Sequence, residues 1–227
     1  MSIPSITKNM KVLVTTASFG SPLKSTWVEQ RSDKYEIVFN RIDDSTESPR
    51  TRAMSPRLRG KIPKMVVWED HPGYDYYIWM DAGFSILNES SIERMVDECI
   101  NVDACFFKHS ERYNVKQESN FVNVLMSKGH QYLLERYEGE RMTEQVDEYS
   151  KDETWIDNIL FECGTFIYSK DIVANTENNI MKEWFYHNCI WSVQDQLSLP
   201  YLLHKFGIKY KLLEGTVYSN KFTSQIN

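Results

Sequence analysis

Short apolar runs alternate with amphipathic stretches along most of the chain. Runs rich in β-branched and aromatic residues, bounded by polar or Gly/Pro-containing segments, predict strands. Six such runs predict strands over residues 11–17, 35–43, 74–81, 103–109, 160–170 and 208–215. The run at 208–215 is expected to be the last strand of the chain. Because predicted helices separate the strands, we expect an α/β fold with a mostly parallel sheet flanked by helices.

Helical periodicity and start signals predict the helices. A helix starting at Ser55-Pro56 is expected to be interrupted by Gly60 and Pro63 before a short helix over 64–69. The other predicted helices cover 23–32, 90–100 with a Ser90 or Ser91 capping box, 116–137 with a break at 127–129, 178–191, and 195–207 with Pro200 near its first turn. Residues 44–52 predict a loop, and the acid-rich residues 138–157 predict a solvated surface segment.

Length and composition fit one domain spanning residues 1–227, since 41% of the residues are apolar and no repeat or linker appears. The net charge of −6 argues against nucleic acid as the main partner without excluding it. The four cysteines form no C-x-x-C pair, which argues against a zinc site and favours reduced thiols. With no signal-peptide pattern and no apolar run near ~18 residues, we expect a cytoplasmic protein without a transmembrane segment.

A carboxylate ends the third predicted strand. The apolar residues 76–80 run straight into Asp81, which Ala82 and Gly83 follow. Ligands of open α/β sheets bind outside the carboxyl ends of the strands. A carboxylate there, beside small residues, suits a hard divalent cation that bridges phosphates. An aspartate that only caps a turn is an equally good interpretation.

Positive charge is concentrated just before that strand. Between residues 49 and 68 the sequence has six basic residues and no acidic one: Arg50, Arg52, Arg57, Arg59, Lys61 and Lys64. Arginine forks bind phosphate oxygens bidentately, and lysine adds a point charge. The cluster therefore predicts phosphate contacts beside Asp81, with a basic surface loop as the plainer alternative.

Two further polar groups stand at the ends of predicted elements. Asp195 and Gln196 open a helix, where an aspartate is commonly a cap and otherwise a catalytic base or an acceptor-binding group. His109 and Arg112 follow a strand end. A lone histidine is more often structural, but its place at the strand end favours a role in the site.

These stretches together resemble one family. They read "SPRLRGKIP…YDYYIWMDAGFSI", "KHSERY", "FECGTFIYSK" and "DQLSLPYLLHKFG". They are similar, in order and spacing from residue 11 to about 210, to glycosyltransferase-like proteins of the plant mucilage-related and bacterial polysaccharide type. That family has an Arg and a Lys before a Tyr-Ser-Ile-Trp-Ile-Asp-Gly strand, then His-Pro-x-Arg, then Arg-Asp-Gln-Leu-Ser-Phe.

The resemblance implies a GT-A fold, with a Rossmann-like nucleotide-sugar half at about 10–110 and an acceptor half at about 111–227. It implies transfer of a hexosyl group from a nucleoside diphosphate sugar, with UDP favoured, to a hydroxyl acceptor. For a bacterial or phage enzyme the acceptor would be a glycan or, less favoured, a modified DNA base. The implied donor-binding residues are Thr15, Thr16, Ala17, Phe19, Arg57, Lys61, Asp81, Ala82 and Gly83.

The resemblance also implies catalytic roles for Asp195, Gln196 and His109, and manganese or magnesium at Asp81. Arg112, Glu162, Gly164 and Thr165 would shape the acceptor site. The chain departs from the pattern in three places. Asp-Ala-Gly replaces the usual Asp-x-Asp, Ser110 replaces the Pro, and Gln194 replaces the Arg.

The missing second acidic residue supports one alternative, a non-catalytic module that binds sugar or nucleotide-sugar. The basic cluster supports another, a nucleic-acid-binding protein. A phosphatase or nucleotidyltransferase is disfavoured, because no second acid pairs with Asp81 to build a two-metal site.

Overall fold

The computed structural model describes residues 9–46, 51 and 53–226. Eight strands are found in this part of the chain: β1 Met10–Ser18, β2 Tyr35–Asp43, β3 Tyr76–Met80, β4 Phe84–Ile86, β5 Ala104–Lys108, β6 Phe161–Ser169, β7 Tyr210–Leu213 and β8 Thr223–Gln225. Six of them form one sheet in the order β2-β1-β3-β6-β5-β7, and β4 pairs with β8.

The six-stranded sheet is mostly parallel. β1 runs parallel to β2 and β3, and β5 runs parallel to β7, whereas β6 is antiparallel to both of its neighbours. The predicted α/β fold with a mostly parallel sheet is confirmed. Since only β6 is reversed, its first residues lie at the same sheet edge as the carboxyl ends of β1, β3 and β5.

The helices cover both faces of this sheet. Their bounds are α1 Pro56–Lys61, α2 Val67–Asp70, α3 Ser91–Cys99, α4 Val115–Ser127, α5 Gln131–Tyr137, α6 Met142–Tyr149, α7 Ile180–Ile190 and α8 Asp195–Lys205, with a 3-10 turn at Lys170–Val173. Because side chains alternate between the faces of a strand, Ile78 packs with α3 while its neighbour Trp79 packs with α7 and α8.

Residues 56–70 stay helical where an interruption was predicted. A π-helical turn, Ile62–Val66, joins α1 to α2. Pro63 has no N–H to donate, so the regular α-helical hydrogen-bond pattern is broken there. The wider π-helical turn accommodates the proline without ending the helical segment. Gly60 lies inside α1, and Pro200 lies inside α8 instead of near its first turn.

The helix predicted over 23–32 is absent, because this segment bonds to other parts of the chain. The Thr26 N–H donates to Ser85 Oγ (3.2 Å), and the Arg31 N–H donates to the Glu89 carbonyl (2.8 Å). The Ser90 capping box is also wrong. The Ser90 side chain makes no cap hydrogen bond, and Ser91 Oγ instead accepts from the Asn88 N–H (3.2 Å).

The acid-rich segment is only partly a solvated surface. Its helix α6 buries Met142, Val146 and Tyr149. Met142 and Val146 pack with Val115 of α4 and Leu197 of α8 in a third apolar cluster. The acidic residues of α6 occupy its other face, so net charge alone did not reveal this amphipathic helix.

The strand predicted over 208–215 is not the last one. The chain continues to β8, which pairs with the unpredicted β4 beside the Asp81 turn, and the Ile226 N–H donates to the Gly83 carbonyl (2.8 Å). Two strands of three residues are too short to show a clear alternation in sequence. No helix in the described ranges combines the length and the apolar character that crossing a bilayer needs.

We expect Ile78→Ala in β3 to lower the free energy of unfolding by about 2–5 kcal/mol, because it leaves a cavity at the centre of the sheet. Ile78 is 1% exposed. Urea denaturation measures the loss. Ile156→Ala is the matched control, since Ile156 is 72% exposed and its truncation should change stability by less than about 0.5 kcal/mol. Equal effects of the two substitutions would contradict this packing.

Candidate functional site

A cavity of about 700 Å³ opens at the sheet edge where β1, β3 and β5 end and β6 begins. The start of α8, the helices α1, α4 and α5, and the loop at 217–218 complete its walls. Twelve of the sequence-predicted site residues line it: Ala17, Phe19, Arg57, Lys61, Asp81, Ala82, His109, Arg112, Glu162, Gly164, Asp195 and Gln196. The structure thus brings together residues from both halves of the predicted site.

Four predicted site residues do not line the cavity. Thr15 and Thr16 are buried within β1, and Thr165 is buried within β6. Gly83 lies in the turn between β3 and β4, where its carbonyl holds the end of the chain.

The floor of the cavity is a buried ion cluster around Asp195. One carboxylate oxygen, Oδ2, lies 2.7 Å from Lys61 Nζ and 2.6 Å from Lys64 Nζ. Lys64 Nζ also lies 3.5 Å from Asp81 Oδ1. Asp195 is 6% exposed and Lys64 5%. Two ammonium groups and two carboxylates therefore lie together; Asp195 and Lys64 are shielded from water, whereas the Asp81 side chain is 47% exposed.

Burial and pairing act in opposite directions on these pKa values. Burial alone would raise the pKa of Asp195, but the Lys61 and Lys64 ammonium groups hold it well below its usual range. Burial also opposes the charged form of Lys64, yet the Asp195 and Asp81 carboxylates raise its pKa above the ordinary value. Asp195 is therefore ionised and Lys64 protonated at neutral pH.

Lys61 differs from its neighbour. Burial is the larger effect on Lys61 and lowers its pKa, even though Asp195 favours the charged form, and the Lys64 cation lowers it further. A second anion in the cavity would therefore stabilise the charged form of Lys61 more than that of Lys64.

Local structure sets the position of this cluster. The π-helical turn follows Lys61 and contains Lys64, and both side chains reach the same carboxylate oxygen. On the opposite side, Trp184 Nε1 donates to the Asp195 carbonyl (3.0 Å), which fixes the first turn of α8. Asp195 is the first helical residue and not the N-cap; the N-cap residue, Gln194, makes no side-chain cap hydrogen bond.

The Asp81 carboxylate is engaged by the protein itself. Trp79 Nε1 donates to Asp81 Oδ1 (2.6 Å), the same oxygen that faces Lys64. Within the described ranges, no group of three or more His, Cys, Asp or Glu side chains is arranged to hold a metal ion. This donor set does not fit a divalent cation held by the protein alone, so manganese or magnesium stays a prediction.

Gly164 makes room for the Asp81 turn. The Asp81 N–H donates to the Gly164 carbonyl (2.7 Å). A Cβ at residue 164 would lie 3.0 Å from the Phe84 ring, 3.1 Å from Val217 and 3.4 Å from Asp81 Oδ2. A glycine is therefore required by the close approach of the 217 loop to the sheet edge.

His109 is held inside the wall. Its Nδ1 accepts the backbone N–H groups of Glu111 (3.1 Å) and Arg112 (3.2 Å), and Arg112 Nη2 lies 2.7 Å from Nε2. Burial and the Arg112 cation lower the pKa of His109, so the neutral ring prevails at neutral pH. These contacts favour a positioning role for His109.

A chain of polar contacts connects Arg112 to α8. Arg112 Nε donates to the buried Glu118, and Gln194 Nε2 donates to Glu118 Oε1 (2.8 Å) and Gln196 Oε1 (3.0 Å). Gln196 Nε2 donates in turn to the Phe161 carbonyl (2.9 Å). Gln194, which departs from the family pattern, is thus the link between two elements of the wall.

Glu162 joins two loops to the start of β6. Its Oε1 accepts from the N–H (3.2 Å) and hydroxyl (3.0 Å) of Ser110, and its Oε2 accepts from the Val217 N–H (2.6 Å). The carboxylate is 3% exposed. Its hydrogen bonds shape the wall of the cavity.

The residues of the basic cluster lie in different surroundings. Arg57, Lys61 and Lys64 line the cavity. Arg59 pairs with Asp44 (2.6 Å), and its guanidinium stacks 4.6 Å from the centroid of the Phe19 ring. Arg50 and Arg52, like part of the predicted 44–52 loop, lie outside the described residues.

Sequence reasoning missed several cavity residues. Lys64 was visible in the basic cluster, but nothing distinguished it from its neighbours as a second partner of Asp195. Arg136 lines the cavity from α5, where its Nη1 donates to the Tyr132 hydroxyl (2.6 Å). Phe121, Tyr132 and Tyr218 stand at the same cavity with 43%, 58% and 59% exposure. No local sequence signal marks these residues.

Comparisons with known proteins give only structural likenesses. No family model matches the chain, and no curated protein matches it. One similar solved structure is a glycosyltransferase involved in the glycosylation of the major capsid of PBCV-1, with 9% identity, 94% of this chain and 92% of that chain covered, and a TM-score of 0.47. Another is core-mannan synthase A from Aspergillus fumigatus in its Mn/GDP form, with 9% identity, 93% and 74% coverage, and a TM-score of 0.38. At TM-scores below 0.5 these likenesses carry no conclusion about function.

We expect the stabilising effect of Asp195 to depend on pH. Its folded-state pKa is lowered, so its contribution is present above the unfolded value of about 3.9 and is lost as the pH falls toward the folded value. Asp195→Asn should cost about 3–5 kcal/mol near pH 6, because two buried lysines lose their partner. Urea denaturation at pH 6 and pH 3 should show this difference shrinking in acid.

Asp147→Asn on the exposed face of α6 is the matched control, and its effect should stay small at both pH values. An equal cost of Asp195→Asn at pH 6 and pH 3 would contradict the ionised state of Asp195.

Proposed function

We propose that the protein is a glycosyltransferase that moves a sugar from a nucleoside diphosphate sugar, with UDP favoured, to a hydroxyl acceptor. One observation carries the proposal: a cavity at the carboxyl ends of the sheet, whose floor is the Asp195 ion cluster and whose lining includes Arg57 and Arg136, neither of which has a carboxylate partner among the described residues. Cations and carboxylates are equally numerous in the lining, but guanidinium groups without a carboxylate partner suit the oxygens of a diphosphate, and α/β sheets bind ligands at this edge.

The donor would lie along the ends of β1 and β3. Ala17 and Phe19 line the cavity at the end of β1, where the nucleoside would bind against a Phe19 ring whose position Arg59 supports. The diphosphate would lie toward Lys61, because a second anion would stabilise the charged form of this buried lysine. Positive charge there stabilises the departing diphosphate, and such preorganised electrostatics is usually the largest single term in catalysis.

Asp195 would act by positioning. A carboxylate with a lowered pKa that binds two ammonium groups is a weak base, so we assign it the task of holding Lys61 and Lys64 in place. Gln196 and His109 would likewise hold the wall in shape through their hydrogen bonds. No step is assigned to a divalent metal, because the donor set around Asp81 does not fit one.

The acceptor would enter from the side of α4 and α5. Arg112, Glu162 and Gly164 line the cavity, and Arg112 and Glu162 already use their polar atoms within the protein. Three exposed aromatic rings, Phe121, Tyr132 and Tyr218, would offer flat apolar surface to a sugar. This arrangement favours a glycan acceptor.

We expect a nucleoside diphosphate sugar to stabilise the protein against thermal unfolding. At 100 times its dissociation constant a ligand specific to the native state adds about 2.7 kcal/mol. A panel of UDP- and GDP-sugars should contain a stabilising member, and the protein should release the nucleoside diphosphate from it when hydroxyl acceptors are added. Stabilisation without release would support the non-catalytic binding module. No stabilisation by any panel member would contradict the proposal.

We also expect Lys61→Met to lower kcat/KM for that donor by about 100–1000-fold, because it removes a cation that would face the leaving diphosphate. Lys116→Met on the exposed surface of α4 is the matched control and should leave kcat/KM unchanged. Urea denaturation of both variants checks that they fold. A folded Lys61→Met protein with full activity would exclude this role of Lys61.

A further inference from the structure

Two guanidinium groups that line the cavity have no acidic partner among the residues that the structure describes. Arg57 comes from α1 and Arg136 from α5, both half-buried, and both line the same cavity. Within the described part of the chain, neither forms an ion pair with a carboxylate. The contacts of Arg136 are aromatic: its guanidinium lies 4.8 Å from the centroid of Tyr132 and 5.8 Å from that of Tyr137.

The two arginines repel each other where water is restricted. Burial lowers the pKa of Arg57, and the Arg136 cation lowers it further. The other cations of the cavity have anionic partners already, since Lys61 and Lys64 hold Asp195 and Arg112 holds Glu118. Arg57 and Arg136 are thus the cavity cations without a carboxylate partner among the described residues, and a bound anion would relieve the repulsion between them.

Asp81, in contrast to the two arginines, already has a protein group of opposite charge beside it. Asp81 Oδ1 accepts from Trp79 Nε1 and lies beside Lys64 Nζ, so a protein cation already stands next to this carboxylate. No group of three or more potential metal ligands is found among the described residues. The charge that a divalent metal would bring to a diphosphate is already present as side chains.

We propose that Arg57 and Arg136 form the diphosphate subsite of the cavity and that, with Lys61, these fixed cations take the place of a divalent metal. The inference rests on the proposed transferase function. In the reaction, the bond between the sugar anomeric carbon and the diphosphate oxygen breaks and its electron pair stays on the diphosphate. The acceptor oxygen forms the new bond to that carbon and loses its proton to solvent. Each guanidinium can donate two N–H groups to phosphate oxygens, and both together would stabilise the negative charge that the diphosphate gains.

Isothermal calorimetry of the full chain with UDP, GDP and pyrophosphate, in EDTA and in manganese chloride, tests the subsite. We expect at least one nucleotide and pyrophosphate to bind in EDTA. Arg57→Gln and Arg136→Gln should each weaken that binding about 10-fold or more, since each removes a charge-assisted contact. Arg31→Gln is the matched control, because Arg31 has 74% side-chain exposure and lies outside the cavity lining.

The outcomes separate this inference from the function on which it rests. Nucleotide binding only with manganese, or unchanged affinity in both cavity variants, overturns the subsite and leaves the transferase proposal standing. Pyrophosphate binding that both variants weaken, with no binding of either nucleotide or of any nucleotide-sugar, supports the anion subsite and removes the donor assignment. No binding of any probe overturns both.

Discussion

A carboxylate with 6% exposure stays ionised only where cations compensate for the lost water, and Asp195 has two of them within 2.7 Å. This ion cluster joins two distant parts of the chain, the helical segment that carries Lys61 and Lys64 and the start of α8. A buried ion pair adds little net stability over apolar residues of the same volume. Its place on the floor of a cavity fits the proposed role of holding Lys61 and Lys64 toward a bound anion.

The rest of the site depends on strand direction. Because β1, β3 and β5 run the same way, Ala17, Asp81 and His109 stand at one edge of the sheet. Because β6 runs in the opposite direction, its first residues, including Glu162 and Gly164, lie at that edge. The segment after β7 then returns to close the cavity with Val217 and Tyr218. One antiparallel strand therefore gives the site its second wall.

The strands of the large sheet could be predicted from sequence, because each apolar run was long and bounded by turns. The same reasoning placed Asp81 and Asp195 at element ends, and both line the cavity. It failed where long-range contacts decide the local structure. The segment 23–32 gives its N–H groups to residues near 85 and 89 instead of forming a helix.

Cavity residues without a local sequence signal were the hardest to predict. Lys64 looks like any member of a basic cluster until α8 places Asp195 beside it. Arg136 stands in the short helix α5, and only the packing of α5 against the cavity distinguishes it from other surface arginines. A single sequence carries no record of such pairings, which arise from segments far apart in the chain.

A crystal structure of the protein with a bound nucleoside diphosphate sugar tests the central claim most directly. The account predicts the diphosphate in the cavity above Asp195, with its oxygens within hydrogen-bond distance of Lys61 and of the Arg57 and Arg136 guanidinium groups. A diphosphate bound outside this cavity, or held there through a metal on Asp81 with both arginines turned away, would contradict it.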